Sequence, residues 1–301
     1  MTAHVSYLDL AAAIGLQPKD RVYLSSDLMA LAWNARQHGE TFCADALLDS
    51  FQKQITEEGT LLVPAFHFSF SNQGTYDYKH TPSAAGALGN TALQRTDFQR
   101  TAHPMHSFCV WGKDKDRLCA LRNRNSFGCD SPFAYMEQNQ VIQVMLGTDY
   151  QRSMTFVHYV EYMAGVPYRF LKQFTGSYRD ENGAESTRTY DYPARNLEFG
   201  SIEKFNRIGK ILEGQGIAEC LTINGIVIRK VMLAESYPVI YQDAKYNQCR
   251  NLYDFEADRA QIWADLQIGE SRTGCQEEGG NEIGKRNTAK FPGMGKGVSD
   301  N

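Results

Sequence analysis

The 301-residue sequence predicts an α/β protein with a mixed central sheet and flanking helices. Short segments of apolar and β-branched residues alternate with segments of helical periodicity along the first half of the chain. Hydrophobic residues make up 42% of the composition, which is enough to form a packed core. Strands separated by helices are typical of layered α/β folds with a parallel or mixed sheet.

The first half supplies four predicted core strands. A short helix in YLDLAAAIG ends at Gly15, and RVYLSSDL follows as a strand that ends in small polar residues. CADALLDSFQKQI has helical periodicity and leads into the buried strand GTLLVPAF. HSFCVWG and QVIQVMLG have the composition of further core strands.

The composition changes after AGVPYRF. Residues from about 170 to 195 are polar and carry Asn-Gly at 182–183, which predicts a β-hairpin. An amphipathic helix near SIEKFNRIGKILEGQG and two strands, AECLTING and IVIRKVML, follow. We therefore expect one domain over residues 1–267, with the hairpin as an elaboration. Residues 268–301 have few apolar side chains, which predicts a loosely ordered tail.

Charge and composition exclude several classes of partner. The net charge is -4 and no basic run occurs, so neither nucleic acid nor a membrane surface is an expected partner. No apolar stretch is long enough to span a bilayer, and the first residues do not resemble an export signal. The cysteines are odd in number, scattered and without a CxxC pair, which predicts reduced thiols in the cytoplasm and leaves a catalytic cysteine without a local signature.

The stretch MTFVHYVEYMAG places Thr155, His158 and Glu161 three residues apart. On a helix such residues are neighbours on one face. A neutral imidazole can take a proton near pH 7, and a carboxylate beside it can fix its tautomer. Two other interpretations stay open, namely a satisfied core histidine and two ligands of a zinc site. No further His or Cys is spaced to complete such a site, so no metal is expected.

A second polar cluster lies in RTAHPMHSFCVWG. His103, His106 and Ser107 come just before an apolar strand, and Pro104 favours a shaped turn over a helix. Loops at strand ends are where α/β sheets place binding groups. An ordinary polar turn is the alternative.

Taken in order, these pieces resemble the aminoglycoside 3-N-acetyltransferase (antibiotic N-acetyltransferase) family over roughly residues 20–255. The HP-x-HS turn and TxxHxxE, at this separation, are the most specific features. The matching segments are residues 25–26, 59–66, 81–88, 100–107, 128–132, 147, 155–161 and 166–169.

The resemblance implies transfer of an acetyl group from acetyl-CoA to a primary amine of an amino sugar. It implies His158 as general base and Glu161 as its orienting partner, with Thr155 beside them. The fold implied is the family's own α/β architecture, which differs from that of the general-control-related N-acetyltransferases. Residues expected to line the CoA arm and the acyl group are Ser25, Ser26, His103, His106 and Ser107. Residues expected to bind the acceptor are Asp77, Tyr150 and Arg169.

Two groups in the reaction are not assigned by the sequence. The tetrahedral oxyanion needs a donor, for which backbone N–H groups, Thr155 and Ser107 are candidates. The CoA pyrophosphate needs cations or backbone donors, although the nearby cations also fit a solvated charged helix. These cations are Lys113, Lys115, Arg117, Arg122 and Arg124.

The acceptor is also left open, because Leu24, Asp27 and Thr101 depart from the family pattern. A polycationic aminoglycoside would need carboxylates, for which the candidates are Asp27, Asp77, Asp130, Asp180 and Glu181. A nucleotide-linked amino sugar, destined for a surface polysaccharide or secondary metabolite, would need arginines. Those available are Arg169, Arg179 and Arg188.

Three rival functions were weighed. KFPGMGKG at 290–297 superficially resembles the pyrophosphate loop of general-control-related acetyltransferases, but too few residues remain to form the helix that must follow. A hydrolase that uses His158 to activate water is the second rival. A non-catalytic protein that binds CoA or sugar is the third. Formation of a homodimer is left open.

Overall fold

The structure is a computed structural model and describes residues 4–72 and 74–264. Its strands are β1 (Arg21–Ser26), β2 (Thr60–Pro64), β3 (Tyr76–Asp77), β4 (Gln99–Arg100), β5 (Phe108–Gly112), β6 (Ile142–Leu146), β7 (Arg169–Arg179), β8 (Glu185–Arg195), β9 (Ile202–Glu203), β10 (Ala218–Ile223), β11 (Ile226–Met232) and β12 (Tyr253–Asp254). Its α-helices are α1 (Leu10–Ala13), α2 (Leu28–Gln37), α3 (Ala44–Ile55), α4 (Ala87–Gln94), α5 (Lys115–Cys119), α6 (Pro132–Gln138), α7 (Tyr150–Ser153), α8 (Phe156–Ala164), α9 (Phe205–Gly214), α10 (Leu233–Tyr246) and α11 (Arg259–Ala264).

A seven-stranded sheet in the order β10-β11-β6-β1-β2-β5-β4 lies at the centre of the fold. Strands β6, β1 and β2 run parallel to one another, and β5 and β11 pair antiparallel with β2 and β6. Every residue of β2 is buried, as expected for a strand covered on both faces. The predicted mixed sheet with flanking helices is confirmed.

The two faces of the sheet bury separate clusters of side chains because successive residues of a strand point to opposite sides. Tyr23 and Leu62 belong to the cluster that includes side chains of α6, α8, α9 and α10. Val22 and Leu61 belong to the cluster formed with α1, α2, α3 and α4. Helix α8 therefore lies over the face that carries Tyr23.

The predicted hairpin is formed by β7 and β8, which pair along their whole length. Its tight turn is stabilised by Asp180, whose carboxylate accepts hydrogen bonds from the backbone N–H groups of Asn182 and Ala184 at 2.9 Å each. Gly183 has φ +84°, a conformation that glycine adopts without strain. Strand β3 adds to β7 and completes a three-stranded sheet beside the central one.

The carboxyl ends of β1, β2 and β6 lie at one edge of the central sheet because these strands are parallel. Strand β5 runs the other way and begins at this edge, where Phe108 is paired with Pro64. The HP-x-HS turn, the serine pair at the end of β1 and the Gly147 turn that leads to α7 and α8 are thus brought to the same edge.

Two further expectations are the absence of a membrane-spanning helix and a loosely ordered tail. Within the described ranges, no helix has the length and apolar character that crossing a bilayer would require. The predicted tail at 268–301, with the segment at 290–297 and Cys275, lies outside the described residues. The division of the chain near residue 267 therefore stays a prediction.

We expect Gly209→Ala in α9 to destabilise the protein by about 1–3 kcal/mol, the usual cost of overpacking. A Cβ at Gly209 would lie 2.1 Å from the Tyr150 ring. Gly214→Ala, at the end of the same helix, is the matched control because nothing lies within 4 Å of its added methyl. Urea denaturation measures both free energies of unfolding. Equal effects of the two substitutions would contradict the packing seen between α7 and α9.

Candidate active site

Helix α8 carries the predicted histidine and carboxylate. It begins after Thr155, whose carbonyl accepts a hydrogen bond from the His158 N–H at 3.0 Å, and it ends at Gly165 in the left-handed conformation. Phe156, Val157 and Val160 are buried and fix the helix against the core. This packing holds His158 and Glu161 on adjoining turns at the edge of the buried face.

His158 and Glu161 form a close pair. The His158 Nδ1 lies 2.7 Å from Glu161 Oε2, and the imidazole is 17% exposed whereas the carboxylate is fully buried. Phe127 and Phe205 flank the imidazole with ring centroids at 5.8 and 5.6 Å. Arg169 Nη2 also lies 2.9 Å from His158 Nδ1. The tautomer with its hydrogen on Nδ1 donates to the carboxylate, and it leaves Nε2 as the nitrogen that can take a proton from another molecule.

Glu161 is bound by more than the histidine. Arg169 Nη2 donates to the same Oε2 at 2.8 Å, and the Tyr168 hydroxyl donates to Oε1. Arg169 is in turn fixed by hydrogen bonds to the Pro193 carbonyl at 2.8 Å and the Tyr253 hydroxyl at 3.0 Å. The carboxylate is therefore held from α8 and β7, while β8 and β12 hold its arginine partner.

The charges of this buried pair are stabilised by each other. Burial alone would raise the pKa of Glu161, but the Arg169 charge and the hydrogen bonds from His158 and Tyr168 lower it to about 2. Burial opposes the charge of Arg169, yet the neighbouring carboxylate keeps the pKa of Arg169 well above its usual value. Both groups are therefore ionised at neutral pH.

His103, in the HP-x-HS turn, is a buried and hydrogen-bonded residue. Its Nδ1 accepts from the backbone N–H groups of Met105 and His106 at 3.3 and 3.2 Å, and its Nε2 lies 3.4 Å from the Ser126 hydroxyl. Burial lowers the pKa of His103 to about 3, so the ring is neutral. These contacts shape the turn, and the predicted contact with CoA stays a prediction.

His106 lies in an aromatic cluster. Its ring meets Phe66, Phe68 and Phe127 at centroid distances of 4.9, 5.3 and 4.9 Å and is nearly parallel to Tyr192 at 5.9 Å. Burial, together with the charges that His103 and His158 would carry, holds the pKa of His106 well below its usual value. Its Nδ1 is buried and has no hydrogen-bond partner among the described residues.

The predicted site contains four serine and threonine hydroxyl groups, of which those of Ser25 and Ser107 are hydrogen-bonded within the protein. Ser107 donates to the Ala65 carbonyl at 2.8 Å and accepts from Arg100 at 2.9 Å. Ser25 donates to the Val144 carbonyl at 3.3 Å. Thr155, directly before α8, and Ser26, at the carboxyl end of β1, are both half-buried.

The three residues predicted to bind the acceptor lie in different places. Arg169 is buried and joined to Glu161. Tyr150 is also buried and donates to Glu213 at 2.9 Å. Asp77 pairs in register with Arg179, at the opposite end of β7 from Arg169. The structure thus brings Arg169 to His158 and separates Asp77 from them.

Several predicted partners of phosphate or of an amino group are engaged in ion pairs. Lys113 lies 3.3 Å from Glu58, and Arg122 lies 3.5 Å from Glu181. Arg124 lies 3.0 Å from the Asp191 carboxylate. These cations are neutralised locally, and their predicted contact with CoA stays a prediction.

A cleft of ≈ 390 Å³ adjoins Arg169 at the base of the hairpin. Tyr192 lines this cleft, and its ring also stacks on that of His106 at 5.9 Å between centroids. The lining residues are Arg169, Phe170, Lys172, Tyr192, Ala194, Arg195, Asn196 and Leu197. Over residues 4–72 and 74–264, no group of His, Cys, Asp and Glu side chains is arranged to hold a metal ion.

The sequence did not predict the residues that complete the surroundings of Glu161. Tyr168 lies in the VPYR segment, and its position next to Arg169 was the available signal. Cys249 lies 3.2 Å from the Tyr168 hydroxyl, and Tyr253 contacts Arg169. Both come from a distant part of the chain, so no local pattern could have connected them with α8.

Comparison with known proteins gives matching results from sequence and structure. The family described as aminoglycoside 3-N-acetyltransferase matches residues 25–240. The SPbeta prophage-derived aminoglycoside N(3')-acetyltransferase-like protein YokD of Bacillus subtilis (strain 168) is 25% identical over 226 residues, which are 67% of this chain and 78% of that protein.

Solved structures of similar proteins share the fold. The crystal structure of YokD has a TM-score of 0.65 at 20% identity and covers 79% of this chain and 96% of its own. The aminoglycoside acetyltransferase AAC(3)-Xa has a TM-score of 0.68 at 19% identity, with 80% and 91% covered. AAC-IIIb, solved as a binary complex with CoASH, has a TM-score of 0.66 at 16% identity, with 80% and 96% covered.

We expect Glu161→Gln to lower the free energy of unfolding by about 3–5 kcal/mol, because it leaves Arg169 buried without its counter-ion. Asp254→Asn is the matched control, since it removes the partner of Arg207 from an ion pair in which both side chains are about half exposed. We expect a much smaller effect from the control. Urea denaturation at pH 7 measures both, and equal losses would show that the buried pair is not the stronger of the two.

The stability that Glu161 contributes should depend on pH. The folded protein holds the pKa at about 2, below the ordinary value of 4.5, so the ionised carboxylate stabilises the fold above pH 4.5. This contribution, about 3 kcal/mol, is lost as the pH falls towards 2. The wild-type free energy of unfolding should therefore fall more steeply over this range than that of Glu161→Gln. Parallel curves from denaturation at a series of pH values would contradict the depressed pKa.

Proposed function

Because the chain belongs to the aminoglycoside 3-N-acetyltransferase family, a family of acyl-CoA-dependent N-acetyltransferases, we propose that it acetylates a primary amine of an aminoglycoside. In this proposal acetyl-CoA is the donor, His158 is the general base and Glu161 orients it. The observation that carries the proposal is the 2.7 Å contact between His158 Nδ1 and a fully buried, ionised carboxylate. The contact supports an imidazole that donates from Nδ1 and keeps Nε2 free for proton transfer.

The chemistry follows from the charge of the substrate. A sugar ammonium has no lone pair for attack, so it must first lose one proton to the solvent and react as the neutral amine. His158 Nε2 takes a proton from the amine as its nitrogen bonds to the thioester carbon. When the tetrahedral intermediate collapses, the C–S bond breaks, its electron pair leaves on sulfur, and the proton can pass to the thiolate. Holding both substrates in this geometry supplies up to about 7–11 kcal/mol.

Glu161 supports this cycle by remaining charged. The carboxylate stabilises the imidazolium that forms when His158 accepts the proton. Arg169 Nη2 lies 2.8 Å from the same carboxylate oxygen that contacts His158. The negative charge of Glu161 is therefore compensated by a permanent cation before His158 becomes charged. We propose that Arg169 acts on the position and ionisation of Glu161.

Structures of proteins with this fold have been solved with CoA and with an aminoglycoside. AAC-IIIb was solved with CoASH, and AAC-VIa was solved with sisomicin at a TM-score of 0.68. These complexes support acetyl-CoA as donor and a small amino sugar as acceptor for this chain. Acetylation of such an acceptor would give resistance to the antibiotic. The expected cytoplasmic location and the question of a homodimer stay predictions.

The cleft next to Arg169 favours a second class of acceptor. Its lining includes Lys172 and Arg195 but no carboxylate, although Arg195 is itself paired with Glu203 at 3.0 Å. Such a lining suits an anionic group better than a polycation. An amino sugar linked to a nucleotide, acetylated at the same histidine, is therefore the alternative acceptor.

The proposal is tested by measuring release of free thiol from acetyl-CoA with each class of acceptor. Thiol released only with added aminoglycoside supports the first acceptor, and thiol released only with a nucleotide-linked amino sugar supports the second. Release without any amine would show a hydrolase. No release with either acceptor class would overturn the proposed transfer.

We expect His158→Ala to lower kcat at least ~10²-fold, the usual contribution of a general base. His38→Ala is the matched control, since His38 is an exposed histidine directly after α2 whose Nδ1 contacts the Asn34 carbonyl of that helix. The control should keep the wild-type rate in the same thiol-release assay. A His158→Ala protein with a native circular dichroism spectrum and the wild-type kcat would remove His158 from the role of base.

A further inference from the structure

Acyl transfer needs a hydrogen-bond donor for the carbonyl oxygen of the thioester. As the amine attacks, the π pair of the C=O bond moves onto oxygen, and a donor placed there lowers the barrier. Two hydroxyl groups near the site are expected candidates, Ser107 and Thr155. The Ser107 proton is committed to the Ala65 carbonyl, so this hydroxyl is not free to serve an incoming carbonyl. Thr155 is half-buried directly before α8 and stays a candidate donor.

His106 is a polar side chain beside the base that the protein leaves incompletely bonded. Both His106 and His158 contact the Phe127 ring, at 4.9 and 5.8 Å between centroids. The neighbouring His103 has backbone donors on its Nδ1, whereas the Nδ1 of His106 has no partner among the residues described. The fold therefore uses the Nδ1 of His103 as a hydrogen-bond acceptor but leaves the Nδ1 of His106 without a partner among the described residues.

The surroundings of His106 also fix its ionisation and tautomer. Its low pKa keeps the ring neutral, so one nitrogen carries hydrogen and the other does not. A buried N–H without an acceptor is rare in folded proteins. The hydrogen is therefore expected on Nε2, and the sealed Nδ1 keeps the lone pair.

We propose that His106 is a catalytic residue, whose Nε2–H donates a hydrogen bond to the thioester carbonyl oxygen of the acyl donor. This inference rests on the proposed acyl transfer and adds the group that stabilises its oxyanion. No proton is transferred from His106. The proton of the amine goes to His158, the electron pair of the cleaved C–S bond leaves on sulfur, and the hydrogen bond from His106 strengthens as charge develops on oxygen.

Three substitutions of His106 distinguish the contribution of its N–H donor from that of its aromatic ring. His106→Phe keeps an aromatic ring in an aromatic cluster and removes the donor. The amide N–H of glutamine reaches about as far as Nε2 of histidine, and that of asparagine about as far as Nδ1. We expect His106→Phe and His106→Asn to lower kcat by about 10²–10³-fold with little change in KM for acetyl-CoA. His106→Gln should retain a clearly larger kcat, although it packs less well.

Thermal unfolding of each variant checks that the fold is intact. A native His106→Phe protein with the wild-type kcat would overturn the inference. Equal kcat for folded His106→Phe and His106→Gln would overturn it as well, because the ring and not the donor would then matter.

A second measurement needs no acceptor and so is independent of which amine is used. The infrared C=O stretch of bound acetyl-CoA, labelled with ¹³C at the carbonyl, should lie lower in the wild-type protein than in His106→Phe. The same frequency in both proteins would overturn the inference even when amine-dependent thiol release is normal. A lower frequency in the wild-type protein would uphold the inference even if the aminoglycosides tested are not acetylated. Failure to acetylate them would count against the proposed function and not against the role of His106.

Discussion

The buried carboxylate of Glu161 is the constraint around which the site is built. An ionised group with no exposure to water is costly unless every lone pair is satisfied and an opposite charge is close. Here His158 and Arg169 meet one oxygen and Tyr168 meets the other. The requirement to satisfy one side chain thus ties α8 to β7, and through the Pro193 carbonyl and the Tyr253 hydroxyl to β8 and β12.

This arrangement links the stability of the fold to its chemistry. A helix supplies the contact between His158 and Glu161 locally, but only long-range contacts keep the carboxylate charged inside the protein. Loss of activity after a change at Glu161 therefore has two causes, a misplaced imidazole and an unpaired Arg169. Measurements of stability and of rate are both needed to separate them, whereas a change at the partly exposed His158 leaves Glu161 paired with Arg169.

The sequence predicts those parts of the structure that depend on local patterns. The strands of the central sheet follow from short apolar runs, the hairpin follows from Asn182 and Gly183, and the closeness of His158 and Glu161 follows from helical spacing. The sequence cannot distinguish His103 from His106, because their difference lies in backbone donors that only the folded turn supplies. The contact between Arg169 and Glu161 is also beyond the sequence, since it depends on how the hairpin packs against α8.

The two ends of the β7–β8 hairpin have different roles in the structure. Its base holds Arg169 through a main-chain carbonyl, so that contact does not depend on the side chain at position 193. Its far end closes through a tight turn bonded to its own Asp180 carboxylate, with Gly183 in open space. Insertions or deletions at that turn would leave the pairing near the base unchanged. Descendants of this chain therefore have a region in which length and sequence can diverge while the cluster of His158, Glu161 and Arg169 is inherited intact.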